Sequence, residues 1–345
     1  MVCRSYIHVV NTVLIFFFFL GLMTCSSGKD TPPLIDDRAS LLTDTEKSRI
    51  TDYCAHLAAE LDIRITVTTL DAAVGDIDAT AARLFSERSE GGARRVLFLI
   101  DPAGRQVRLE IGYDLESIYT DGFVGYIERK QMVPFFESGA VGDGIAATIE
   151  LLVDKALGTA ASERGELTTE ANDTSPYYSG GAGAVTSVDI GTGRSAPAPA
   201  AQANDYGAQP SPLAALDTYR RILAAHVKDP DLGLYTPATR TFFRTHTVTD
   251  AQQDNARTLL DRIAGTERIV IRDDHAVIHY PLHNRRANPY FLQRGPYGWM
   301  MDFVSMNRFI RFNHLNQWHF ASTDHPYMFA FDGVTIDTQG FPHAR

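Results

Sequence analysis

Cysteine is scarce in this chain, with three in 345 residues, at positions 3, 25 and 54. Two of them fall in an N-terminal stretch that reads as a leader, so Cys54 stands alone beyond it and a disulfide framework is excluded. Cationic side chains are outnumbered, 32 Lys and Arg against 42 Asp and Glu, giving a net charge of -10. Nucleic acid binding, which calls for a basic stripe, is thereby excluded, and cations are the more natural guests. Signatures of nucleophilic and metal catalysis are missing too: there is no Walker loop, no G-x-S-x-G elbow, no H-E-x-x-H pair and no EF-hand spacing. The thiol-phosphatase spacing from Cys54 fails because Glu60 stands where an arginine is required, and Asp101 is followed by Pro102 and Ala103, so no D-x-D follows the strand before it. Gly191-x-Gly193 has neither a strand before it nor a helix after it, so it does not read as a phosphate loop.

Long apolar runs are confined to Val13 to Met23, short of the ~20 residues that a spanning helix needs. Arg4 supplies a short basic start before it, and Leu22-Met23-Thr24-Cys25 has the shape of a bacterial lipoprotein cleavage box. Residues 1–30 are therefore expected to be a targeting segment with lipidation at Cys25; ordinary signal cleavage and a retained anchor are the alternatives. Each of the three exports the remainder to the cell envelope, and lipidation makes the membrane a partner through the lipid.

What is present is clearest between Val96 and Asp121. Val96 to Ile100 is a continuous apolar run, as expected of a strand covered on both faces, and Asp101-Pro102-Ala103-Gly104 supplies the turn that follows. In Gln106 to Ile111, apolar Val107, Leu109 and Ile111 alternate with polar Gln106, Arg108 and Glu110, which predicts a second strand of a hairpin near the sheet edge. Gly112 to Glu116 turns the chain, and Thr120-Asp121 opens a helix before Phe123, Val124 and Ile127. Upstream, Thr43 and Glu46 make a capping box for a helix whose apolar face holds Ile50, Tyr53, Cys54, Leu57, Ala58 and Leu61, which places Cys54 in the core. Ile63, Ile65 and Val67 predict a strand, Ile77 to Glu87 a helix, and two helices follow the acidic turn, one ending near Pro134 and one carrying Ile145, Ile149, Leu152, Val153 and Ala156. The order α-β-α-β-β-α-α predicts an α/β fold, a small mixed β-sheet flanked by helices on both faces.

The run Gly112-Tyr113-Asp114-Leu115-Glu116-Ser117-Ile118-Tyr119-Thr120-Asp121 resembles the G-Y-G-L-E-G-x-L-T-D pattern of the TPM-domain family. Ile35-Asp36-Asp37-Arg38-Ala39-Ser40-Leu41-Leu42 matches that family's V-x-D-x-A-x-x-L opening, and Pro134, Phe136, Gly139, Gly144 and Ile145 fit its closing helices. The resemblance covers residues 34–157 and rests on the order of the motifs. Asp114 replaces the second glycine of G-Y-G, Ala140 stands where the family often has an acid, and Arg88 and Arg94-Arg95 replace its usual tryptophan and small polar turn. The resemblance implies a TPM-like fold, with acid phosphatase activity in some members and an assembly or regulatory role for membrane proteins in others.

Residues 158–211, rich in Gly, Ser, Ala and Pro, read as a low-complexity linker that cannot bury enough apolar surface to order itself. Residues 212–345 read as a second domain of the α+β class, with helices from Leu213 and Asp250 and β-like runs at Arg268 to Arg272, Ala276 to Tyr280, Tyr290 to Gln293 and Trp299 to Phe303. His275 and His279 would share a strand face, with His283 beyond Pro281, and Asn288 to Leu292 with Gly298 to Asp302 could line an apolar ligand pocket.

Asp37, Glu116 and Asp121, with Asp36 and Asp114 nearby, are the candidates for one acidic groove. Hard oxygen donors suit Ca2+ or Mg2+; the same acids could equally cap the turns and helices that they precede. The function expected is a cell-envelope TPM-domain protein that binds a divalent cation and serves as an interaction or maintenance factor for envelope membrane proteins. The alternative is a metal-dependent phosphatase using the same groove.

Overall fold

The computed structural model describes residues 33–87, 94–163, 186–191, 206–283, 285–313 and 315–344. Cys25 and the rest of the expected targeting segment lie outside the described residues. Residues Pro33–Arg345 cluster into one unit, built around two separate apolar cores.

The first half opens with the short strand β1 (Ile35–Asp37), then α1 (Asp44–Leu61), β2 (Arg64–Thr69), α2 (Ile77–Glu87), β3 (Arg95–Asp101) and β4 (Gln106–Ile111). A 3-10 turn (Tyr113–Leu115) leads into α3 (Asp121–Ile127), a π-helical turn (Glu128–Met132), α4 (Val133–Glu137), the long α5 (Val141–Glu163) and the two-residue strand β5 (Thr186–Ser187). The sheet order is β1-β2-β3-β4-β5. β1, β2 and β3 run parallel, whereas β4 is antiparallel to both β3 and β5, so the sheet is mixed as expected.

β3 forms the centre because every residue from Val96 to Ile100 can be buried. Val96, Phe98 and Ile100 face the core made with α1, α3 and α5, while Leu97 and Leu99 face Ile77, Ala81 and Leu84 of α2. Helices thus cover both faces. α1 starts at the capping box expected of it, Thr43 with Glu46, and Cys54 on its inner face is 3% exposed, with burial pushing its thiol up to about 12.

Three features depart from the sequence expectation. β1 forms a third parallel strand at one edge, where the sequence showed only the approach to a helix. The helix expected to end near Pro134 runs on to Glu137: the π turn precedes it, and Pro134 sits in the first turn of α4, where its missing N–H costs no bond. β5 lies within the range expected to be linker, Thr186 and Ser187 pairing with Val107 and Gln106. Val188 is buried beside it and Arg105 pairs with Asp189, so local composition is overruled by a fixed partner strand.

The second half is α+β. Helices α6 (Pro212–Ala224), α7 (Pro237–Phe243) and α8 (Asp250–Arg262) precede an antiparallel sheet of β6 (Arg268–Arg272), β7 (His275–His279), β8 (Tyr290–Gly295) and β9 (Gly298–Met301), in that spatial order. α9 (Phe303–Phe309) and the hairpins β10 (Ile310–Phe312) with β11 (Trp318–Phe320) and β12 (Val334–Ile336) with β13 (Pro342–Ala344) close it. Phe291 stacks on Tyr327 at 4.3 Å between ring centroids, and Trp299 is buried, so the aromatic runs build the core. His275 and His279 pack against Tyr327 and Phe331 in that same layer.

Candidate functional site

Open α/β sheets place their ligand sites at the carboxyl ends of the parallel strands. Here those ends bring together Asp37 of β1, Thr69 of β2 and Asp101 of β3, since Asp37 pairs with Thr69 and Thr69 with Ile100. Asp101 enters this group from the structure; the sequence marked it only as the start of a turn.

Asp37 is almost wholly enclosed, its side chain 2% exposed. One carboxylate oxygen accepts the Thr69 hydroxyl at 2.7 Å and the Leu41 amide at 3.0 Å. The other accepts the Leu42 amide at 3.1 Å and faces the Lys47 ammonium at 3.0 Å. Burial alone would push this carboxyl up; Thr69, Lys47 and the two amides outweigh it and hold the group below its ordinary value. The carboxylate thus fixes the turn from β1 to α1, where Ser40 takes a positive φ of 54°. Asp101, fully buried, does the same after β3 by accepting the amides of Val74 at 2.9 Å and Gly104 at 2.6 Å. A Cβ on Gly104 would fall on that carboxylate, which is why glycine stands there.

Glu116 follows the 3-10 turn and is exposed, and Asp121 is the first residue of α3, where the helix dipole favours an acid. Thr120 is the N-cap but makes no side-chain cap bond. Among the described residues, no group of three or more His, Cys, Asp or Glu side chains is arranged to hold a metal ion. Asp37, Glu116 and Asp121 thus form no such group among the described residues. The lone pairs of Asp37 serve four donors of this chain, Thr69, Leu41, Leu42 and the Lys47 cation. His275 and His279 pack against the rings of Tyr327 and Phe331.

A second buried acid was not signalled by the sequence. Glu128, at the start of the π turn, is fully buried; it accepts the Leu109 amide of β4 at 2.8 Å and the Thr186 hydroxyl of β5 at 3.1 Å. Burial pushes its carboxyl up to about 8, against the opposing pull of those two donors and of Arg108 and Arg129. β5 is only two residues long, so the Glu128 side chain completes the edge of β4 where that strand stops. Arg108, itself buried, projects from β4 and pairs with Asp78 and Glu110. An acid between Ile127 and Arg129 was the one available signal, and nothing local distinguishes it from an exposed helical glutamate.

Comparison with known proteins agrees with the first half. Residues 35–155 match the family of the TPM domain. A solution NMR structure of the N-terminal domain of a protein from P. gingivalis is similar, with 25% sequence identity over 39% of this chain and 85% of that one, at a TM-score of 0.32. No curated protein matches the chain. Among the described residues, no helix is long and apolar enough to cross a membrane.

Proposed function

We propose, for a chain whose residues 35–155 are a TPM domain, that it is an exported cell-envelope protein held at the membrane by a lipid on Cys25. Its TPM domain serves there as an interaction or maintenance factor for membrane proteins. The observation that carries this reading is the state of Asp37. Metal-assisted phosphate-ester hydrolysis needs an ion with open positions and a carboxylate free to hold it. The Asp37 oxygens are instead committed to Thr69, Leu41, Leu42 and Lys47. The three parallel strand ends are thus stapled by the chain's own donors, which suits a binding scaffold better than a hydrolytic centre. A net charge of -10 also argues against nucleic acid as the partner.

A phosphomonoester assay on purified residues 30–345, with and without chelator, tests this against the phosphatase alternative. The proposal expects no turnover that chelation or Asp37→Asn removes. Turnover abolished by both would replace it with the metal-dependent phosphatase. The anchor is tested by detergent phase partitioning: wild type should enter the detergent phase and Cys25→Ser the aqueous phase, and equal partitioning would remove the lipid.

A further inference from the structure

The two halves meet across a face that is almost entirely polar. On the first half the face consists of α1, α3, the π turn and α5; on the second it consists of α8 with the loops around Arg286 and Asn316. Tyr53 of α1 donates to Asn316, whose side-chain amide donates in turn to the Glu150 carbonyl of α5. Asp154 of α5 accepts Arg286 at 2.7 Å and Asn255 at 2.8 Å. Lys130 of the π turn pairs with Asp250 at 2.8 Å, Tyr126 donates to Asp254, and the Thr249 hydroxyl donates to Gln131.

The charges are crossed. The first half offers a cation at Lys130 and an anion at Asp154, and the second answers with Asp250 and Arg286, so the pattern accepts one orientation only. Apolar joining is slight: among the described residues, the core of the first half takes in a single residue of the second, Ala251, and the core of the second takes in none of the first. Each half therefore keeps its own core when the face opens. The connection from Gly191 to Tyr206 runs through the fourteen residues 192–205, which span at most about 50 Å when fully extended.

From this juxtaposition we propose that the C-terminal half is a dissociable, charge-keyed cover on the α5 and π-turn face of the TPM domain, which it withholds from other partners while docked. Lys130 is half exposed, and Asp250, Arg286 and Asp154 keep 16%, 24% and 21% of their side chains exposed, so salt, which screens charges over about 10 Å at 0.1 M, reaches both pairs and weakens the docking. The withholding of partners rests on the interaction role proposed above, whereas the docking itself does not, and the coupling experiment reads docking alone.

Zero-length carbodiimide coupling of the full chain, read by peptide mass spectrometry, tests it directly. The Lys130–Asp250 product reports docking. The Lys228–Asp250 product, from a pair at 2.5 Å within the second half, reports that Asp250 still reacts. Raising salt from 0.05 to 1 M should cut the first about five-fold or more and leave the second within about two-fold. Loss of both alike, or of neither, overturns the proposal. At low salt, Asp154→Arg should also lower the Lys130–Asp250 product, and adding Arg286→Asp should restore it. A double variant no better than the single one would overturn the crossed key, and circular dichroism of each variant separates undocking from unfolding.

Discussion

Glu128→Gln should stabilise the protein at neutral pH, and the size of the effect follows from the burial of this side chain. An ordinary glutamate titrates near 4.5, and this one is pushed up to about 8. The folded state therefore holds a proton between those values that the unfolded state has lost, and stability falls as pH rises through that window. At pH 7 the solution stands about 2.5 pH units above the ordinary value, and at about 1.4 kcal/mol per unit the cost is ~3 kcal/mol. Below pH 4.5 both states are protonated and the cost vanishes. A glutamine keeps the shape, accepts the Leu109 amide and offers its own N–H to Thr186, all without a titrating group. In urea denaturation, Glu128→Gln should gain about 1–3 kcal/mol over wild type at pH 7 and nearly nothing at pH 4. Glu128→Leu should lose about 1–3 kcal/mol at pH 4 because the Leu109 N–H is left buried and unpaired. A Gln variant with the same pH slope as wild type between 5 and 8 would refute the reasoning.

The remaining expectations concern the strand ends and the thiol. Asp37→Ala strands four donors at the turn from β1 to α1 and should cost about 2–4 kcal/mol in thermal or urea unfolding; a loss under half a unit would show that the turn does not depend on it. Since the Asp37 carboxyl is held below its ordinary 3.8, its contribution is full above that pH and disappears as pH falls through the lower folded value. The wild type should therefore lose its advantage over Asp37→Ala only in strong acid. Gly104→Ala drives a Cβ into the Asp101 carboxylate and should cost about 1–3 kcal/mol by the same measurement; a neutral substitution would mean that the turn relaxes freely. Cys54, buried and with its thiol pushed up to about 12, should react with a thiol reagent no faster than the protein unfolds, and prompt labelling of the native protein would contradict its place in the core.

The central architecture was legible because its signals are local. Val96 to Ile100 announces a strand covered on both faces, Thr43 with Glu46 announces the start of α1, and the spacing of Ile50, Cys54 and Leu57 announces its inner face. β5 was not legible: two residues in a tract of glycine and serine have no periodicity, and they become a strand only because Val107 and Gln106 stand opposite. β1 is similar, since three residues gain their register from Val67 to Thr69. At the site, the importance of Asp37 could be read from the sequence, whereas its partners could not. Leu41 and Leu42 are close along the chain, but Thr69 is brought to it by β2 and Lys47 by the first turn of α1. The crossed pairs between Lys130 and Asp250 and between Asp154 and Arg286 join residues more than a hundred positions apart, beyond any local pattern.

Isothermal calorimetry of residues 30–345 with calcium, for wild type and Asp37→Asn, tests the central claim most directly. Internal staples at the strand ends predict no saturable heat that depends on Asp37. A stoichiometric calcium site present in wild type and lost in Asp37→Asn would contradict the account.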